Sequence, residues 1–141
     1  MCFQLKYSEE MGKLTCCPPD GVSQRACTAY RFVHADLADQ RNYQPPAIIK
    51  PGRKWKNESD HCEGYGLSFF ECPDQATQFF KIRAKVSQNL SKLVGSHIAT
   101  VAMVEPDGLA TDLDSEGHFS LFEAASTSFQ GRLNLFREIA T

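Results

Sequence analysis

The sequence predicts an α+β domain, in which an antiparallel or mixed sheet of four to five strands packs against two helices. The composition is that of a globular chain, because 42% of the residues are hydrophobic and 23% are charged. Residues 64–105 carry the clearest periodicity, and they read as strand, helix and strand. A chain of 141 residues can bury one hydrophobic core, so we expect a single domain spanning residues 1–141.

The strands are recognised by alternating segments that are rich in aromatic and β-branched residues and bounded by Gly or Pro. Such segments lie at residues 3–7, 28–34, 64–71, 96–105 and 118–123. In the second of them the alternation puts Tyr30, Phe32 and His34 on one face of the sheet and Arg31 on the other.

The first predicted helix covers about residues 73–94. Pro73 suits the first helical position, where an N–H has no partner to lose, and Gly95 supplies the stop. A break near Ser87 is an open alternative, since Ser87 can cap a second short helix.

Two adjacent phenylalanines in this helix are predicted to differ in burial. Phe79 continues the apolar stripe formed with Ala76 and Val86, so we expect it in the core. Phe80 lies about 100° further round the helix and is expected at the edge of the stripe.

The second predicted helix covers residues 127–140, with Ser126 as its cap. Its apolar residues recur at spacings of four, three and three, as in a helix that buries one face: Phe129, Leu133, Phe136 and Ile139.

Between the second and third strands, residues 35–63 are predicted to form a long, partly ordered loop, broken by prolines and glycines. Loops of this length are uncommon in compact domains and are often functional. Because apolar residues such as Trp55 are costly to expose, we expect the loop to fold over the sheet and to wall a cavity. The predicted ligand-binding residues are Arg31, His34, Trp55 and Ser68.

Six cysteines lie at positions 2, 16, 17, 27, 62 and 72, and none follows position 72. The N-terminal stretch has neither the basic nor the apolar region of a signal peptide, so we expect a cytoplasmic, bacterial protein with reduced thiols. No run of about 18–20 apolar residues indicates a membrane span.

No spacing of ligands predicts a metal site, because the chain has no C-x-x-C and no H-x-x-x-H pattern. Cys72 precedes a helix, where a thiol can be activated, but a cysteine there is commonly a neutral core or capping residue. The sequence therefore indicates no cofactor and no catalytic residue, and it favours a binding protein over an enzyme.

An enzymatic alternative comes from the order of polar residues along the strands. Arg31 and His34 lie on an early strand, and Ser68 lies on a later aromatic strand that precedes a helix. This layout resembles that of ADP-ribosyltransferase-like domains. The resemblance implies that these residues hold a dinucleotide and that Glu105 or Glu123 acts on it.

The remaining expectations concern partners. Four cations surround Trp55 within residues 50–56, but the formal net charge of the chain is −2, so we do not expect a nucleic-acid partner. We expect a small soluble module that binds a small molecule or a partner protein. A structural alternative is a homodimer, formed if an aromatic face of the sheet, with Tyr30, Phe32 and Phe70, is left uncovered.

Overall fold

The computed structural model describes residues 4–139, which form one antiparallel sheet of six strands and five short helices. The strands are β1 (Cys27–Val33), β2 (Leu67–Phe70), β3 (His97–Met103), β4 (Gly108–Ala110), β5 (His118–Glu123) and β6 (Asn134–Glu138). Their order across the sheet is β4-β5-β2-β1-β3-β6. The predicted α+β class is confirmed, with six strands in the described part of the chain instead of four or five.

The helices are short and lie mostly in the connections. They are α1 (Ser8–Met11), α2 (Pro46–Ile49), α3 (Glu58–Glu63), α4 (Pro73–Ala84) and α5 (Leu90–Val94), with 3-10 turns at Gln40–Tyr43 and Glu105–Asp107. None of the helices within residues 4–139 has the length and apolar character needed to cross a membrane.

The predicted helix over residues 73–94 is divided into α4 and α5, as the alternative with a break near Ser87 allowed. Asn89 precedes α5, and Gly95 ends it at a φ of 96°. A Cβ at position 95 would lie 2.0 Å from the carbonyl oxygen of Val33, so both the backbone angle and the close approach require glycine.

The predicted helix over residues 127–140 is wrong for the described part of that range, and residue 140 lies outside it. The chain turns at Gly131, which has a φ of 85°, and then forms β6 alongside β3. The apolar residues spaced by four, three and three, which predicted a helix, lie instead in a turn and in the strand that follows it. Phe129 and Leu133 are buried in the turn, whereas Phe136 lies in β6. Long-range pairing with β3 thus decided the structure against the local periodicity.

The predicted strand over residues 3–7 is reduced to an isolated bridge between Leu5 and Ala124, and residue 3 lies outside the described chain.

One face of the sheet carries the larger apolar cluster. Side chains alternate along the strands, so Leu67 and Phe69 of β2 point to this face together with Phe119 and Leu121 of β5. Leu37, Tyr43, Phe129 and Leu133 pack against them from the connecting segments.

The opposite face is covered by helices at two places. Under α4 and α5 a cluster forms around Phe70, Phe80 and Ile98, and Tyr30 and Phe32 pack against it. Nearer β4, a second cluster contains Leu5, Met11, Cys62 and Phe122. The aromatic residues that prompted the dimer hypothesis are therefore packed against segments of the same chain.

The predicted difference between Phe79 and Phe80 is reversed. Phe80 is 1% exposed and faces the sheet together with Ala76, whereas Phe79 is only partly buried. The expected stripe assumed one continuous helix, but α4 ends at Ala84 and Val86 is 85% exposed. Because Val86 lies beyond the end of α4, including it in the stripe assigned the wrong face of α4 to the core.

The prediction that all cysteines are reduced is also wrong, because Cys17 and Cys62 form a disulfide with Cα atoms 5.6 Å apart. Their side chains meet because the N-terminal segment packs beside α3 in the cluster with Met11 and Phe122. Cys16, Cys27 and Cys72 are free thiols, and Cys2 lies outside the described residues. Disulfides are rare in cytosolic proteins, so this pair weighs against the expected cytoplasmic location.

We predict that Phe80→Ala lowers the free energy of unfolding by about 3–5 kcal/mol, because it empties a fully buried site between α4 and the sheet. Phe79→Ala is the matched control and should cost clearly less, since Phe79 is partly exposed. Urea denaturation measures both. Equal losses would contradict the assigned orientation of α4.

We also predict that alkylation of the unfolded protein without reductant adds one label to the peptide that contains Cys16 and Cys17 and none to Cys62. After reduction the same peptide should carry two labels and Cys62 one. Peptide mass mapping makes the measurement, with Cys72 as the internal control that is labelled in both samples. Full labelling of Cys62 before reduction would refute the pairing.

Candidate ligand-binding cleft

A cleft of about 590 Å³ opens on the helical face of the sheet. Three polar residues from neighbouring strands line its floor: Ser68 of β2, and His118 and Ser120 of β5. Ser68 and Ser120 lie directly opposite each other in the antiparallel register, which places their side chains side by side on one face.

The floor is polar between two apolar regions of the same face. Phe70 of β2 and Phe122 of β5 lie on this face too, and each is 1% exposed beneath its own cluster. Ser120 is also buried, at 3% exposed, yet none of the hydrogen bonds described for residues 4–139 uses its hydroxyl group. The hydroxyl of Ser68 likewise has no partner among these residues, since only the Ser68 carbonyl oxygen is engaged. Both groups are available to a bound molecule.

One wall is built by Trp55 and the helix that follows it. The side chain of Asn57 accepts a hydrogen bond from the backbone N–H of Asp60 at 2.8 Å and so caps α3. This helix presents His61, whose ring stacks on Trp55 with a centroid distance of 5.4 Å and an interplanar angle of 11°. Tyr65 stacks on the other side of this pair at 5.4 Å from His61, which fixes the position of the indole.

Charged side chains line the upper part of the cleft. The cations are Arg53, Lys54, Lys56 and Arg83, and the carboxylates are Asp60 and Glu63. The guanidinium carbon of Arg53 lies 4.5 Å from the centroid of Trp55, and that of Arg83 lies 4.6 Å from Phe79. The ion pairs found among residues 4–139 include none of these six side chains.

His118 is the titratable group of the floor. Its Nδ1 lies 3.5 Å from the carboxylate of Asp114, and its ring meets Phe70 edge-on. Burial lowers the pKa of His118, and the nearby carboxylate of Asp114 opposes this only in part. The imidazole is therefore neutral at pH 7 and offers both a hydrogen-bond donor and an acceptor.

Arg31 lies on the other face of the sheet, although the sequence predicted it beside the ligand. It is 8% exposed, and its guanidinium donates to the backbone oxygen of Ser68 at 2.9 Å and to that of Asn42 at 3.1 Å. Burial lowers the pKa of Arg31 to about 10, which leaves it charged at neutral pH. Arg31 therefore contacts the backbone behind the floor of the cleft.

His34 lies beyond the end of β1 and is not among the residues that line the cleft. Its backbone N–H and carbonyl are both held by the side chain of Asn42, which is 1% exposed. Of the four residues predicted from the sequence, the structure thus brings Trp55 and Ser68 together. The side chains of Arg31, His34 and Ser68 do not share one cleft, although the transferase alternative placed all three around one ligand.

Sequence reasoning missed His118, Ser120 and Arg83. A signal for Ser120 was present, because this serine lies between Phe119 and Leu121 and is followed by Phe122. For Arg83 the sequence gave no signal, since its position beside the floor depends on where α4 ends.

Within residues 4–139, no three His, Cys, Asp or Glu side chains are grouped so as to hold a metal ion. Comparison with protein-family models, with curated proteins and with solved structures finds no match for this chain. The geometry of the cleft is therefore the basis for inferring a function.

We predict that Gly64→Ala displaces the indole of Trp55 and changes its fluorescence emission. A Cβ at position 64 would lie 2.5 Å from Cη2 of Trp55, and the ring must move because the backbone of Gly64, with a φ of −61°, accepts alanine without strain. Trp55 is the only tryptophan in the chain, so the signal has one source.

Gly52→Ala is the matched control, since nothing lies within 4 Å of a Cβ at that position. It should leave the emission unchanged. Identical spectra for the two variants would mean that Trp55 is not packed against α3.

Proposed function

We propose that this chain binds a small molecule in the cleft between the β2–β5 floor and the Trp55 wall. The observation that carries the proposal is Ser120, a buried residue whose hydroxyl borders the cleft and has no partner among residues 4–139. Within residues 4–139 the fully buried side-chain atoms without a hydrogen-bond partner are Nε of Arg25 and Oε1 of Glu123, so the hydroxyl of Ser120 is open to the cleft. A molecule that enters the cleft can therefore bond to this hydroxyl directly.

The shape of the site supports a small molecule over a protein partner. The cleft volume of about 590 Å³ falls within the roughly 300–1,000 Å³ that is usual for small-molecule sites. Its polar groups lie on the β2–β5 floor, beside the wall formed by Trp55 and α3. A few placed polar groups beside an aromatic wall are typical of sites that orient a ligand.

The hydroxyl groups give the sharpest test. A set of neutral, cationic and anionic small molecules is screened by thermal shift and by Trp55 emission. Compounds that bind the wild-type protein should lose about tenfold or more in affinity for Ser120→Val and for Ser68→Val, because each variant removes a hydroxyl from the floor while keeping a side chain suited to a strand.

Ser126→Val is the matched control, since Ser126 lies in an exposed turn and is not among the residues lining the cleft. Its affinities should equal those of the wild-type protein. The proposal fails if no compound of any charge class binds, or if every compound binds all three variants equally well.

A further inference from the structure

The charges of the cleft differ in sign from those of the whole chain. Four cations and two carboxylates line it, which is an excess of two positive charges, whereas the formal net charge of the chain is −2. Because His118 is neutral at pH 7, it does not alter this balance. A net positive charge in a concave site attracts small anions and raises their local concentration.

The cations also keep their hydrogen-bonding capacity. Arg132 lies over the ring of Phe129 and is also paired with Asp107 through two contacts of 2.8 Å. Arg53 and Arg83 lie over aromatic rings too, but none of the hydrogen bonds described for residues 4–139 uses their guanidinium N–H groups. Stacking fixes the plane of a guanidinium while its edge stays open to accept an oxyanion in a bidentate manner.

The floor of the cleft also carries hydrogen-bond donors. The hydroxyl groups of Ser68 and Ser120 can donate to an oxyanion, whereas Nδ1 of His118 faces the carboxylate of Asp114. The two carboxylates that line the cleft, Asp60 and Glu63, both belong to α3, at the wall. The volume of about 590 Å³ exceeds what a bare inorganic anion would fill, which leaves room for an organic body.

We infer that the ligand of this cleft is a small organic anion, whose phosphate or carboxylate group is bound by Arg53, Lys56 and Arg83 above the Ser68–Ser120 floor. The inference rests on the proposed function and adds the chemical class of the ligand. Arg53 also makes binding visible, because an anion that engages its guanidinium changes the contact of that group with the indole of Trp55.

Pairs of compounds that share one organic body and differ in charge provide the test. The pairs are AMP and adenosine, naphthyl phosphate and naphthol, and benzoate and benzyl alcohol, with inorganic phosphate alone as a further probe. Calorimetry and Trp55 emission should show the charged member of at least one pair binding about tenfold or more tightly than its neutral partner. Added salt should weaken the charged member selectively. The phosphate and benzoate pairs distinguish the two oxyanions.

Two variants connect the effect to the cleft. Arg53→Gln and Lys56→Gln should each reduce the preference for the charged member by about tenfold, because each removes a charge-assisted contact. Lys50→Gln is the matched control, since Lys50 is an exposed cation of the same segment that does not line the cleft. It should leave the preference unchanged.

Equal affinities within every pair would overturn the inference and leave the binding cleft itself standing, provided that binding still depends on Ser120. A preference for anions that persists in Arg53→Gln and Lys56→Gln would place the anion elsewhere and would also overturn it. If no charged probe binds, the inference is overturned as well. The proposed function is then tested separately by the neutral and cationic compounds of the broader screen.

Discussion

The arrangement of the central strands depends on one buried cation, Arg31. The register joins β1 to β2 at Tyr30 and Phe70, so the pairing of these two strands is short. The guanidinium of Arg31 adds a hydrogen bond to the carbonyl oxygen of Ser68 and a second to that of Asn42. Taking a guanidinium out of water is costly unless its N–H groups find acceptors, and here both of these acceptors belong to the backbone. Arg31 thus ties β1 to β2 and to the segment that follows β1.

The two faces of the sheet differ in how their charged groups are placed. Arg31 lies on the face that carries Phe69, with its guanidinium 5.6 Å from that ring. Burial lowers the pKa of Arg31, and the nearby carboxyl of Glu123 opposes this only in part. Burial in turn raises the pKa of Glu123, which Lys6 counters with an ion pair at 3.0 Å. The charges of this face are enclosed within the fold. Those of the other face line the cleft and are open to a ligand.

The sequence was sufficient for the parts of the fold that depend on local pattern. Residues 118–123 alternate, and they form β5 with the predicted bounds, while Gly95 ends a helix because the chain needs a positive φ there. It was insufficient where distant segments decide the outcome. Residues 134–138 are held as a strand by β3, and the pairing of Cys17 with Cys62 depends on two segments that are 45 residues apart.

The candidate site shows the same division between local and distant determinants. Trp55 and Ser68 could be chosen from the sequence, because a tryptophan in a loop and a serine in an aromatic strand are both unusual. Arg31 is equally conspicuous as a charge in a strand, but the register alone determines that it faces away from Ser68. Ser120 and His118 become site residues only when β5 is placed next to β2.

Serines at positions 68 and 120 make the fold less stable than larger apolar side chains would. An uninterrupted apolar strand would bury a larger side chain at positions 68 and 120, and each additional buried CH₂ would contribute about 0.8 kcal/mol. The chain has large apolar residues next to both positions and on the opposite face of both strands. The interruption is confined to the one place where cations and Trp55 line the same cavity. Serines at these two positions suit a part of the sheet that is left open to water and to polar molecules.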